Sequence, residues 1–151
     1  MQIANISGLY HVSPQISLTD VELLSEKGFE KIICNRPDFE VPPNLQSSGI
    51  EKSALEIGLS FEYHPLTFEN INTETIEKQM SLIKKSKRPV LAYCTSGTRC
   101  AAIWALGQTG KMSKDEILKA TRGCGYNLEG LLKFFAYKKY LTKNLREVLQ
   151  I

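Results

Sequence analysis

The stretch from Pro89 to Leu106 constrains this chain most. Pro89-Val90-Leu91-Ala92-Tyr93 is an apolar run of the length of a buried strand, and Ala101-Ala102-Ile103-Trp104-Ala105-Leu106 is an apolar run that suits a helix. Between them stand Cys94-Thr95-Ser96-Gly97-Thr98-Arg99-Cys100. A tight turn from strand to helix points backbone N–H groups at one spot, and the unpaired N–H groups of the helix start add to them. A thiol placed there should ionise well below its usual pKa of about 8.5, and the thiolate is the reactive form. Gly97 permits a backbone conformation that a side chain would obstruct. Arg99 offers a planar fork of donors to an oxyanion. Thr95, Ser96 and Thr98 keep the loop small and polar, so residues 95–99 are the expected anion-binding loop. The plainer alternative is a buried structural cysteine beside an ordinary turn. The spacing of Cys, Gly and Arg between strand and helix argues against it.

The rest of the chain alternates short strands and helices. Residues 8–12 hold a strand, and Ser17 or Thr19 caps a helix that runs to about Lys27, where Thr19 and Glu22 form a capping-box pattern. Leu18, Val21 and Leu24 or Leu23 give that helix its apolar face. Strands are expected at 31–35 and 60–64, and helices over 47–57, 73–86, 114–121 and 128–140. Ile76, Met80 and Ile83 mark the buried side of the helix over 73–86, and Leu131, Leu132, Phe135 with Tyr137 or Phe134 that of the helix over 128–140. This pattern predicts one α/β domain over 1–151, with a small, mainly parallel sheet of about four strands flanked by helices, and a helical arm at 141–151. Ligands of such sheets bind beyond the carboxyl ends of the strands, where the Cys94 loop falls.

Composition narrows the partners. A formal net charge of +3 draws small anions but gives no footprint for nucleic acid. No stretch of about 18 apolar residues exists to span a membrane, and the N-terminus has no signal-peptide pattern, so the expected setting is the cytoplasm. Cys34, Cys94, Cys100 and Cys124, with only His11 and His64 beside them, suggest neither a disulfide framework nor a metal site. No cofactor is expected.

Two chemistries place a cysteine below converging N–H groups with an arginine closing the loop. Cysteine phosphatases use Cys-x5-Arg. Rhodanese-type sulfurtransferases have a shorter loop, often Cys-x4-Arg, and carry sulfane sulfur as a persulfide. Here four residues separate Cys94 from Arg99. The narrower cradle suits one terminal sulfur more than three phosphoryl oxygens.

The segments Ile33-Cys34-Asn35-Arg36-Pro37-Asp38, Tyr63-His64-Pro65-Leu66, Tyr93 to Arg99, and Ala120-Thr121-Arg122-Gly123-Cys124-Gly125-Tyr126-Asn127 carry a further likeness. Through them, roughly residues 6–132 resemble the phosphatase-like domain attached to, or encoded beside, bacterial beta-lactamase hydrolase-like persulfide dioxygenases. The resemblance implies a fold like that of dual-specificity phosphatases, and a dioxygenase as a possible partner. Members have been described both as phosphatases and as sulfurtransferases of sulfide detoxification.

A phosphatase also needs a general acid for its leaving oxygen. The loop that supplies an aspartate in similar phosphatases matches residues 67–72, which offer Glu69. Asp38 is the second candidate. Sulfane transfer needs less acid assistance, because sulfite or a persulfide leaves readily as an anion. Cys100 stands where such phosphatases usually carry Ser or Thr. It or Cys124 is the expected thiol to resolve an oxidised or persulfidated Cys94. Arg36 either reaches the anion site or pins the Pro37-Asp38 turn; His64 and Trp104 read as structural. The leading expectation is a sulfurtransferase that takes sulfane sulfur from a small anionic donor onto Cys94 and passes it to a thiol acceptor. The alternatives are a phosphatase of the tyrosine or dual-specificity type acting on a phosphoester, and a module that binds anions or phosphoproteins without turnover.

Overall fold

Five strands make one sheet in the computed structural model of the chain, which describes residues 1–149. They are β1 (Ala4–Ser7), β2 (Tyr10–Ser13), β3 (Lys31–Cys34), β4 (Ser60–Tyr63) and β5 (Val90–Tyr93), and they lie in the order β1-β2-β5-β3-β4. The last four in that order run parallel, and β1 pairs antiparallel with β2. The expected sheet of about four strands is therefore there, with β1 added as an antiparallel edge. The parallel strands share one register. Tyr10, Val90, Lys31 and Ser60 stand level at one end, and Ser13, Tyr93, Cys34 and Tyr63 at the other. The chain therefore leaves all four strands along a single row: Pro14, Cys94, Asn35 and His64.

The helices are α1 (Leu18–Glu26), α2 (Ser47–Glu56), α3 (Thr73–Lys84), α4 (Thr98–Gly107), α5 (Lys114–Arg122) and α6 (Glu129–Leu149). Side chains of β5 alternate between two cores, as a strand covered on both faces requires. Leu91 and Tyr93 join Ile32, Cys34, Val21, Leu24, Ile50 and Ala54 under α1 and α2. Val90, Ala92 and Cys94 join Ile33, Ala101, Ala105, Trp104, Ile117 and Leu118 on the opposite face. Each large apolar side chain fully buried this way contributes about 1.5–3 kcal/mol. Small residues let α4 lie close on the sheet: Ala101, Ala102 and Ala105 are all fully buried.

Local chemistry sets the helix ends, in places differently from expectation. Ser17 caps α1 and closes its capping box with Asp20, so Thr19 and Glu22 are not the cap pair. With the helix in that phase Val21 and Leu24 face inward, while Leu18 and Leu23 face solvent. On α3 the fully enclosed residues are Gln79 and, nearly so, Leu82; Ile76, Met80 and Ile83 are only partly covered. On α6, Leu131, Leu132 and Phe135 pack inward, but Phe134 and Tyr137 are exposed. The expected arm at 141–151 continues α6 as helix to Leu149; residues 150 and 151 lie outside the described residues. No helix among the described residues is long and apolar enough to cross a membrane.

Candidate active site

Cys94 is the first residue beyond β5, and its side chain continues the inward row of Val90 and Ala92 toward α4. The next residues must reverse direction to start that helix. Gly97 does this at φ +95°, in the left-handed region that disfavours a side chain. Gly97 is also the N-cap of α4, and it has no side chain with which to cap. The N–H groups of the first turn are consequently left for another acceptor. The Cys94 sulfur takes that place. It accepts from the Gly97 N–H at 3.2 Å, and also from the N–H and thiol of Cys100. Hydrogen bonds from Cys100, aided by the Arg99 charge and the Gly97 N–H, outweigh burial and bring the Cys94 thiol down to about 5. Cys94 is thus a thiolate at neutral pH, although only 1% of it is exposed. Burial pushes the Cys100 thiol the other way, well up, so the two sulfurs form an acceptor–donor pair.

Arg99 lies in the first turn of α4, and its guanidinium is held in a second cluster. Its Nη1 donates to Glu40 Oε2 and to the Leu66 carbonyl, both at 2.7 Å. Its Nη2 donates to Glu40 Oε1 at 2.7 Å and to Thr95 Oγ1 at 2.9 Å. These bonds use all four N–H groups of the two terminal nitrogens. The Arg99 hydrogen bonds hold the Glu40 carboxyl below its usual range. Arg36 secures the same carboxylate's segment. It donates to the Glu40 carbonyl at 2.9 Å and to Gln15 Oε1 at 3.0 Å, and its Nε lies 3.7 Å from Glu40 Oε1. Of the two roles open to Arg36, this geometry has it pinning the turn after β3. A cleft of about 490 Å³ opens beside the loop, lined by Glu40, Thr67, Phe68, Glu69, Ser96, Thr98 and Arg99.

Glu69 is exposed on the cleft wall. Asp38 is elsewhere. Its two oxygens accept from the Ser47 N–H and the Ser47 hydroxyl, each at 2.7 Å, so it caps α2 instead of facing the cleft. The structure brings Cys100 to Cys94 and separates Cys124 from it: the Cys124 thiol donates to the Asn5 carbonyl on β1, at 3.1 Å. Cys34 donates to the Arg36 carbonyl at 3.3 Å, and burial raises its thiol to about 11. His64 is buried, its Nδ1 is 2.8 Å from Gln79 Oε1, and burial lowers its pKa. Among the described residues no group of three His, Cys, Asp or Glu is arranged to hold a metal ion.

Residues 3–111 match the profile of the beta-lactamase hydrolase-like protein, phosphatase-like domain. The chain belongs to that family. Similar curated proteins are beta-lactamase hydrolase-like proteins of Xylella fastidiosa, 27% identical over 130 residues, and of Agrobacterium fabrum, 25% identical over 130 residues. In both cases the match covers 85% of this chain but only 30% of the relative's length. Among solved structures, a Neisseria meningitidis protein described as a candidate phosphatase is 33% identical, with a TM-score of 0.78 over 86% of this chain and 93% of that one. The catalytic domain of a Saccharomyces cerevisiae PP-IP phosphatase shares the fold at 14% identity, with a TM-score of 0.62 over 93% and 94% of the two chains. The architecture is that of the dual-specificity-phosphatase-like α/β fold.

Within this phosphatase-like domain, two features of the site were not visible in the sequence. Glu40 was passed over for Asp38, two residues earlier in the same 3₁₀ turn (Asp38–Glu40). Residues two apart in such a turn point to different sides, so only the turn's orientation decides which acid meets the cleft. An arginine fork set in a loop between strand and helix requires an acidic partner, and that was the available signal. The second feature is Gln79. Its amide bonds Asn35 and the Tyr10 hydroxyl, at 2.8 and 3.2 Å, and Tyr10 in turn donates to the Cys100 carbonyl at 2.8 Å. This buried chain of hydrogen bonds ties α3 and β2 to the first turn of α4.

Proposed function

We propose that this phosphatase-like domain is a cysteine-dependent phosphatase that works through a phosphocysteine on Cys94. The observation that carries this reading is the Cys94 sulfur itself. It is held as a thiolate by the head of α4, in a chain whose family and structural relatives are phosphatase-like. The thiolate attacks the phosphorus of a phosphoester, and the P–O bond to the leaving group breaks with its electron pair going to oxygen. Glu69, on the cleft wall, protonates that oxygen in this scheme. Water then cleaves the P–S bond and restores the thiolate. Loop N–H groups and Arg99 balance the charge on the phosphoryl oxygens. Asp38, engaged as a helix cap, has no part in this scheme.

Sulfane transfer is the second reading, and specific observations favour it. Only four residues separate Cys94 from Arg99, and Glu40 with Leu66 and Thr95 takes up the terminal N–H groups of Arg99. A dianionic phosphoryl group would have to displace those partners or bind at Nε alone. In this reading the Cys94 thiolate attacks the outer sulfur of thiosulfate, sulfite leaves with the bonding pair, and Cys94 carries the persulfide. A thiol or cyanide then accepts the sulfur. A persulfide dioxygenase partner belongs to this reading, as the supplier or consumer of the carried sulfur.

One mass measurement separates these readings. Reduced protein is treated briefly with an aryl phosphate and acid-quenched, and a parallel sample receives thiosulfate; Cys94→Ser accompanies both. The expected result is a phosphoryl adduct, with phosphate release, that is absent from Cys94→Ser. One added sulfur that cyanide removes, with no phosphoryl adduct, reverses the assignment to sulfur transfer. Anion binding that survives Cys94→Ser, with no adduct of either kind in the parent, leaves a binding module.

A further inference from the structure

The chain leaves α5 through a left-handed turn at Gly125, φ +89°. The Gly125 N–H bonds the Arg122 carbonyl and the Tyr126 N–H bonds the Thr121 carbonyl, both at 2.9 Å. This pair of bonds is a Schellman close, and it fixes where Tyr126 starts. The phenol then lies across Gly97. A Cβ built on Gly97 would fall inside the van der Waals radius of the phenolic oxygen and 2.9 Å from Cζ. The hydroxyl donates to the Ser96 carbonyl at 3.1 Å.

That carbonyl and the Gly97 N–H are two ends of one planar trans peptide, and they point in opposite directions. The N–H end donates to Cys94 Sγ at 3.2 Å. We propose that Tyr126 is a positioning residue: its hydroxyl holds the Ser96–Gly97 peptide in the orientation that aims the Gly97 N–H at the nucleophilic sulfur.

A peptide next to a glycine rotates easily, because little steric hindrance opposes it. Rotation here would replace a donor facing the thiolate with a carbonyl oxygen, which repels it. The Tyr126 hydroxyl opposes rotation from the far end, since a turned peptide would leave it facing an N–H. Tyr126 does this without touching the sulfur, and the arrangement serves a thiolate that attacks either phosphorus or sulfur.

Tyr126→Phe removes the hydroxyl and keeps the ring. The test follows alkylation of Cys94 by iodoacetamide as a function of pH, by intact mass, together with amide exchange of the loop peptide that contains Gly97. The expected result is an alkylation midpoint raised by about 0.5–1 pH unit and loop exchange faster by about fivefold, at a thermal midpoint within a few degrees of the parent. Asn127→Ala, which removes the acceptor of the Glu129 N–H at the start of α6, serves as the comparison for general loosening of the segment. It should change neither readout. An unchanged midpoint and unchanged exchange in Tyr126→Phe overturn the proposal, and so does an equal shift in Asn127→Ala.

Discussion

The two halves of the site are built in opposite ways. The side around the sulfur comes from one continuous stretch, Cys94 to Cys100, whose own Cys100 thiol and backbone N–H groups supply the donors. The side around the guanidinium is assembled from distant parts of the chain: Arg99 meets Glu40 and the Leu66 carbonyl, and Arg36 meets Glu40 and Gln15. The first side is a consequence of ending a strand and starting a helix within a few residues. The second depends on the whole sheet, because it needs β2, β3 and β4 to deliver their loops to one row. Local chemistry therefore makes the nucleophile, and tertiary structure decides what that nucleophile can meet.

Substitutions on the assembled side test this most strongly. Arg99→Lys keeps the charge but loses the planar fork that bonds Glu40, Leu66 and Thr95 together. It should lower kcat/KM on an aryl phosphate by about a hundredfold or more while Cys94 still alkylates at neutral pH. Glu40→Gln keeps the shape and removes the charge, and should cost about tenfold. A larger loss from Glu40→Gln than from Arg99→Lys would mean that the carboxylate, not the guanidinium, is what the substrate meets.

On the contiguous side the sharper readout is pH. With Cys94 at about 5, its alkylation should rise through a midpoint near that value. Cys100→Ala removes the largest of the influences that lower it and should raise the midpoint by about one unit or more. The same thiolate carries a stability signature. Its folded pKa lies below the ordinary thiol value of 9.0, so between about 5 and 9 the unfolded chain binds a proton that the folded chain does not. The contribution is complete above the upper value and is lost as pH falls through the lower one. Thermal midpoints of the parent, measured against those of Cys94→Ser, should therefore climb with pH across that window. Mild hydroperoxide should oxidise the Cys94 thiolate to a sulfenic acid, and the Cys100 thiol should then displace water to form a disulfide. Peptide mapping should find Cys94 joined to Cys100, and not to Cys124, whose thiol is held by Asn5 on β1.

The same division explains what the sequence disclosed. The nucleophile, its loop and the parallel sheet beneath it were legible because they follow from short-range pattern: an apolar strand, a Cys-to-Arg loop, an alanine-rich helix. Glu40, Gln79 and Tyr126 were not. Each works through a partner far away in the chain, and each looks locally like something ordinary. Gln79 occupies a position where helical periodicity calls for an apolar residue, and only the arrival of Asn35, His64 and Tyr10 makes its burial affordable. The edge strand β1 was missed for the same reason. It is four residues long and is defined by its pairing to β2.

Asp38 offers the smallest effect and the cleanest separation of local from assembled roles. It lies in the same turn as Glu40, yet its carboxylate caps α2 through Ser47. Asp38→Ala should cost about 1 kcal/mol of stability, as the loss of an N-terminal helix cap does, and lower the thermal midpoint by about 2–4 °C for a chain of this size. Activity assayed well below that midpoint should stay within about twofold of the parent. Glu69→Gln in the same assay should lower kcat by about a hundredfold, the scale of lost proton donation to a leaving group, and leave the melting temperature alone. The reverse pattern, with activity lost and stability kept in Asp38→Ala, would place the proton donor in the turn after β3. The Arg36–Glu40 segment would then be part of the reacting machinery and not only the brace for Arg99.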